Sequence, residues 1–128
     1  MTKILVCGSR SFDDEALLSK ELDKTVWSCG GPENVEIVSG GAKGPDTYAA
    51  EFAERRGVRC KVFPADWERY GKSAGFIRNT QMREYCNGSR TVVLAVWDGK
   101  SRGTAHMIGL AEKMVDFEVR KLMFEPKE

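Results

Sequence analysis

The sequence contains few of the residues that bind transition metals. Its only histidine is His106, and its four cysteines are scattered along the chain. The sequence has neither a Cys-x-x-Cys pair nor a His-x-x-x-His pair, which are spacings that commonly hold such a metal. We therefore expect no metal site, and we expect free thiols of the kind found in a reducing compartment.

Long apolar runs and an excess of one charge are also missing. The apolar stretch that follows Lys3 ends at Gly8, which is too short for a signal peptide or a membrane span. Twenty basic residues nearly balance nineteen acidic ones, so the summed field gives no long-range attraction for duplex DNA or anionic lipid. We expect a cytoplasmic protein with no membrane partner and with nucleic acid as an unlikely partner.

Two common nucleotide-binding fingerprints do not occur. The sequence has no Gly-x-Gly-x-x-Gly and no Gly-x-x-x-x-Gly-Lys-Ser/Thr, so it disfavours conventional dehydrogenases and P-loop NTPases. No serine lies in a nucleophile elbow, which disfavours the common serine hydrolases.

Strand-like and helix-like runs alternate along the chain, which is typical of an α/β protein with a parallel sheet. The expected strands are Ile4 to Cys7, Val35 to Ser39, Arg59 to Phe63, Thr91 to Trp97, and a half-exposed edge strand in which Val115, Phe117 and Val119 alternate with charged residues. A helix follows each of the first four strands. With right-handed crossovers, this predicts one Rossmann-like domain over residues 1–128, a doubly wound sheet of about five strands in the order 3-2-1-4-5 with helices on both faces.

Local signals predict where the helices begin and end. We expect Ser11 to cap a first helix that starts at about Asp13, and we expect Pro45 and Gly57 to bound the second. A loop over residues 64–72 should precede a helix from about Ser73 to Tyr85, and a turn over residues 98–104 should precede a last helix that ends near Lys113.

The segment after the second strand has the composition of a phosphate-binding turn. It reads Ser39-Gly40-Gly41-Ala42-Lys43-Gly44-Pro45-Asp46. Glycines let the backbone turn sharply and expose N–H groups at a helix start, and Lys43 offers a charge to a phosphate. Asp46 either bonds a ribose hydroxyl or complements the helix dipole. The alternative is a tight connection in which the glycines only make the turn.

Three other junctions carry similar chemistry at the carboxyl ends of strands, where doubly wound sheets bind their ligands. Gly8-Ser9-Arg10 leaves the first strand, and glycines with cations also occur at residues 72–79 and 98–104. In the loop before Lys72, Trp67 and Tyr70 either stack a base or serve a subunit interface. A structural role is favoured for His106 over acid/base work. The residues predicted to bind a ligand are Gly8, Ser9, Arg10, Gly40, Gly41, Ala42, Lys43, Asp46, Lys72, Arg78, Asn79, Gly99, Gly103 and Thr104.

Together these motifs resemble a known family. The pattern Gly-Gly-Ala-x-Gly-x-Asp at residues 40–46, with Ala-Asp-Trp at 65–67 and Gly-x-x-Arg-Asn at 75–79, resembles the YspA-like family of the SLOG superfamily. That superfamily groups Rossmann-like proteins related to the DNA-processing protein DprA and to the LOG cytokinin-activating enzymes. The resemblance implies binding of a nucleotide or a nucleotide-derived ligand, such as an NAD or ADP-ribose derivative, by a sensor or sequestering protein. By analogy it also implies a homodimer.

Two alternative functions follow from the same resemblance. LOG enzymes cleave the N-glycosidic bond of nucleoside monophosphates and carry Pro-Gly-Gly-x-Gly-Thr-x-x-Glu after a helix arginine that Arg78 resembles. Here Met107 stands where that glutamate would lie, which leaves Arg78, Asp46 and Asp98 as the candidate catalytic residues and the enzyme activity uncertain. The DprA relationship instead implies single-stranded nucleic acid binding, for which five cations could line a groove. These are Lys43, Lys72, Arg78, Lys100 and Arg102.

Overall fold

The computed structural model describes residues 1–126, which form five strands and five α-helices, with one or two helices between consecutive strands. The strands are β1 (Thr2–Gly8), β2 (Val35–Ser39), β3 (Arg59–Val62), β4 (Thr91–Trp97) and β5 (Phe117–Met123). The helices are α1 (Glu15–Ser28), α2 (Pro45–Arg56), α3 (Trp67–Tyr70), α4 (Ala74–Cys86) and α5 (Arg102–Glu112). No helix within residues 1–126 is long and apolar enough to cross a bilayer.

All five strands pair in parallel in the order β3-β2-β1-β4-β5. The predicted α/β class and the predicted strand order are therefore confirmed. β1 is the central strand, and Ile4, Leu5 and Val6 have no exposed surface, as expected for a strand covered on both faces. The winding reverses between β1 and β4, which places a crevice at their carboxyl ends.

The side chains of β1 alternate between two hydrophobic layers. Ile4 and Val6 pack into one layer with Phe52 of α2. Leu5 and Cys7 pack into the other layer with Met82 of α4. This period of two is what a strand requires when helices cover both of its faces.

The start of α1 differs from the sequence prediction. Asp14, not Ser11, is the N-cap, and its Oδ1 accepts a hydrogen bond from Leu17 N at 3.1 Å. The helix starts later because residues 9–12 form a turn, in which Phe12 N donates to Ser9 O. This turn places the Phe12 ring in the core, edge-on to Phe124 at 5.0 Å.

Three further boundaries also differ. The predicted loop over residues 64–72 contains α3, because Asp66 caps it by accepting from Arg69 N at 3.1 Å. The last helix begins at Arg102, inside the segment predicted as a turn. Val115 is 98% exposed and precedes β5, whose partly exposed residues nevertheless fit the predicted edge strand.

Candidate functional site

A cavity of about 460 Å³ lies at the carboxyl edge of the sheet. The segments after β1, β2 and β4 form part of its wall, and residues from α3 to α4 form the rest. The predicted ligand-binding residues that line it are Gly8, Ser9, Arg10, Ala42, Asp46, Lys72, Arg78, Asn79, Gly103 and Thr104.

The remaining predicted residues lie elsewhere. Gly40 and Gly41 line an adjoining cavity of about 130 Å³, which shares Arg10, Trp67 and other wall residues with the larger one. In the described part of the chain, neither Lys43 nor Gly99 lines either of these two cavities. The Lys43 side chain is exposed, so its part in binding stays a prediction.

The buried carboxyl of Asp46 lies near the partly buried guanidinium of Arg78 in the wall of the cavity. Asp46 lies in the first turn of α2, is 4% exposed, and accepts a hydrogen bond at Oδ2 from Ala42 N at 3.3 Å. Burial raises the pKa of its carboxyl to about 6, although the neighbouring Arg78 guanidinium acts in the opposite direction. Burial also lowers the pKa of Arg78. Asp46 is therefore a carboxyl that takes up a proton near neutral pH.

Gly40 leaves the space into which the ends of Arg78 and Asp46 extend. Arg78 Nη1 donates to Gly40 O at 2.5 Å. A Cβ at residue 40 would lie 2.4 Å from Arg78 Nη1 and 2.7 Å from Asp46 Oδ2. Any larger residue would force the two charged groups out of their positions.

Asn79 holds the neighbouring elements together. It is 3% exposed, and its Oδ1 accepts from Arg78 Nε at 3.1 Å. Its Nδ2 donates to Gly103 O at 3.1 Å and lies 3.1 Å from His106 Nδ1. Burial lowers the pKa of His106, so a neutral ring accepts this bond at Nδ1 and carries its proton on Nε2. Asn79 thus fixes Arg78 and the start of α5 in one arrangement.

Asp98 shapes the loop after β4. Its Oδ1 accepts from Lys100 N at 2.9 Å and from Ser101 N at 2.8 Å, and these bonds lower the pKa of the carboxyl. Its backbone N–H donates to Ser9 Oγ at 3.2 Å. Asp98 therefore stays ionised, and of the two candidate aspartates Asp46 is the better proton donor.

Positive charge reaches the cavity from three elements. Arg10 follows β1, Lys72 precedes α4, and Arg78 lies within α4. The N-terminus of α5 adds backbone N–H groups at Gly103 and Thr104, and its first turn contains no acidic residue. Such an arrangement favours an anion, because the helix dipole and the cations act in the same sense.

The sequence reasoning missed part of the wall. Trp67 and Phe76 both line the cavity. The sequence indicated Trp67, either to stack a base or to form a subunit interface, but it did not indicate Phe76. Phe76 lies three positions before Asn79 and so shares its helix face. That spacing was the one signal that could have indicated it.

Comparison with known proteins shows which family the chain belongs to. The sequence model of the YspA, cpYpsA-related SLOG family matches residues 2–70 of the chain. The chain belongs to this SLOG family. The matched residues run from β1 through α3. They include Arg10 and Asp46, which line the cavity.

A phage protein is also similar to the SLOG-family chain. It is the "Gene 61 protein" of Mycobacterium phage D29, which is 34% identical over 122 residues, covering 88% of this chain and 90% of its own length. No solved structure matches the chain. Family membership makes this a nucleotide-related Rossmann-like protein, in agreement with the parallel sheet and its strand order.

Proposed function

We propose that the protein binds a nucleotide or nucleotide-derived metabolite by its phosphate in the cavity at the carboxyl edge of the sheet. The observation that carries the proposal is the convergence of Arg10, Lys72 and Arg78 on one cavity of about 460 Å³. Sites for small molecules commonly fall in the range of about 300–1,000 Å³. Binding and release of an unchanged ligand are sufficient for a sensor or sequestering protein.

The three cations have different roles in this proposal. Arg78 already donates hydrogen bonds to Gly40 O and Asn79 Oδ1, so it holds the wall together as well as supplying charge. Arg10 and Lys72 have exposed side chains. They are therefore the groups that can turn toward a phosphate with the smallest rearrangement.

Isothermal titration with AMP, NAD and ADP-ribose tests the proposal, with adenosine as the ligand that lacks a phosphate. We expect at least one of the phosphate-bearing ligands to bind more tightly than adenosine. Arg10→Ala and Lys72→Ala should each weaken that binding by roughly 10- to 150-fold, the range for a charge-assisted hydrogen bond of about 1.5–3 kcal/mol. Lys20→Ala is the matched control, because Lys20 is exposed on α1 and outside the cavity.

The proposal is wrong if none of the three phosphate-bearing ligands binds, or if adenosine binds as tightly as each of them. A short single-stranded oligonucleotide is included as a further arm. Binding of the oligonucleotide alone, with a steep dependence on salt, would instead support a nucleic-acid protein.

One observation favours a second candidate, hydrolysis of a nucleotide N-glycosidic bond. Asp46 lines the cavity, and burial raises the pKa of its carboxyl to about 6, which suits a group that delivers a proton near neutral pH. Asp46 would protonate the departing base as the bond from C1′ to the base breaks. Water would add its oxygen to C1′, and the proton that this water releases would return to the Asp46 carboxylate. The position that resembles the LOG glutamate supplies no carboxylate, since Met107 is fully buried in the core.

Chromatography of AMP incubated with the protein distinguishes the two functions. The second candidate predicts free adenine and ribose 5-phosphate, lost in Asp46→Asn and retained in Asp98→Asn. Recovery of intact AMP after binding has been shown by titration would leave binding as the function.

A further inference from the structure

Two large aromatic side chains line the cavity beside its cations. Trp67 is the first residue of α3 and is 50% exposed, and Phe76 lies in the first turn of α4 and is 46% exposed. Two accessible aromatic rings in the wall of one cavity offer apolar area that a bound ligand can cover.

Phe76 is held in a fixed orientation. Its ring stacks on the His106 ring, with centroids 4.3 Å apart and an angle of 19° between the planes. His106 is in turn fixed by the contact between its Nδ1 and Asn79 Nδ2. One face of Phe76 is thus occupied by protein, and a substantial part of the ring stays accessible.

Trp67 lies across the start of α4. A Cβ at Gly75 would be 3.6 Å from Trp67 Cη2, so the indole ring passes close to the helix backbone. The Arg10 guanidinium carbon lies 5.9 Å from the centroid of the ring, near the outer limit for a cation–π contact. The indole ring therefore lies close to one of the cations proposed to hold the phosphate.

The polar side chains in the wall are largely engaged with the protein itself. Both ends of the Asn79 amide are bonded, Ser101 Oγ lies 3.3 Å from Thr104 Oγ1, and the Asp98 carboxylate holds its own loop. These side chains are therefore not free to read the edge of a base. The aromatic rings are the surface that a flat heterocycle can use.

We propose that Trp67 and Phe76 form a base subsite, which binds the heterocycle of a nucleoside phosphate by stacking and does not distinguish adenine from guanine. This inference rests on the proposed function, in which the phosphate lies against Arg10 and Lys72. Purines should bind more tightly than pyrimidines because they offer a larger stacking area. A single nucleotide is favoured over a nucleic acid strand, since the net charge of the chain is only +1.

Titration with ribose 5-phosphate, AMP, GMP and CMP tests the base subsite separately from the phosphate site. We expect AMP and GMP to bind with similar affinity and about 5- to 150-fold more tightly than ribose 5-phosphate, the range that corresponds to stacking of one base. Trp67→Leu and Phe76→Leu should reduce this ratio, because they weaken the binding of AMP and GMP more than that of ribose 5-phosphate. Trp67→Phe should retain most of the difference in affinity between AMP and ribose 5-phosphate. Trp27→Leu is the control, because Trp27 is exposed and lies outside the cavity.

The possible failures differ from one another. If ribose 5-phosphate binds as tightly as AMP, or if both leucine variants keep the wild-type ratio, the base subsite is wrong and the phosphate site stands. If neither ribose 5-phosphate nor any nucleotide binds, both proposals are wrong. An oligonucleotide that binds through Trp67 where AMP does not would also overturn the inference.

Discussion

Arg78 Nη1 donates a hydrogen bond to the carbonyl oxygen of Gly40 across 2.5 Å, and this bond joins α4 to the turn after β2. The two residues are 38 positions apart in the chain. The guanidinium reaches the carbonyl because residue 40 has no side chain. Four predictions follow from this and other contacts of the structure.

Gly40→Ala should displace the Arg78 guanidinium from Gly40 O, which should cost about 1 kcal/mol of stability for the lost hydrogen bond, and it should weaken nucleotide binding. The added Cβ would lie 2.4 Å from Arg78 Nη1, so the guanidinium must move. Urea denaturation and titration with AMP measure the two effects. Gly109→Ala is the control, because a Cβ there meets no atom within 4 Å and alanine favours the helix. Equal stability of Gly40→Ala and the wild type would contradict the close approach.

Asp46→Asn should change how stability depends on pH. The folded-state pKa of Asp46 is raised from 3.8 to about 6, so the native state retains this proton over a pH range in which the unfolded state releases it. The free energy of unfolding of the wild type, minus that of Asp46→Asn, should therefore fall by about 2 kcal/mol as the pH rises from 4 to 7. Urea denaturation of both proteins across this range measures it. A constant difference would show that the Asp46 pKa is not raised.

Met107→Glu should destabilise the fold by about 3–5 kcal/mol, which is typical of a buried charge without a partner. Met107 has no exposed surface and packs in the core near Leu5 and Met82. Met107→Leu should cost less than about 1.5 kcal/mol, because it conserves the volume. Thermal denaturation of both variants compares them. A glutamate variant as stable as the leucine variant would mean that this position can reach water.

Asp14→Ala should destabilise the protein by about 1 kcal/mol, because Leu17 N would lose its hydrogen-bond acceptor at the start of α1. Ser11→Ala should have a smaller effect, since Ser11 is not the cap. Chemical denaturation of the two variants decides between these residues. A larger loss for Ser11→Ala would restore the cap that the sequence pattern suggested.

The strand order could be predicted because it depends on the order of whole strands and helices along the chain, which single side-chain contacts do not change. Alternating apolar runs indicate a parallel sheet, and the right-handed crossover rule leaves few orders to choose from. The start of α1 could not be predicted, since it depends on Phe12 packing against Phe124 from the far end of the chain. The sequence around Ser11 carries no information about that contact.

The candidate site was predictable at the level of loops and less so at the level of side chains. The carboxyl ends of parallel strands meet at one edge, which is why Arg10, Asp46 and Arg78 line one cavity. The positions of the glycines in a turn do not determine where a neighbouring side chain points. Lys43 is exposed and does not line the cavity. Phe76 was missed because its pairing with His106 joins two helices.

The hydrogen bond from Asp98 N to Ser9 Oγ fixes the distance between the loops that follow the two central strands. These loops cannot separate to admit a bulkier molecule unless that bond breaks. Any adjustment to ligand size must then come from the opposite wall, where α3 is a single turn at the surface with no buried residue. This hydrogen bond therefore constrains the width of the cavity on the side of the sheet, and α3 is the less constrained side.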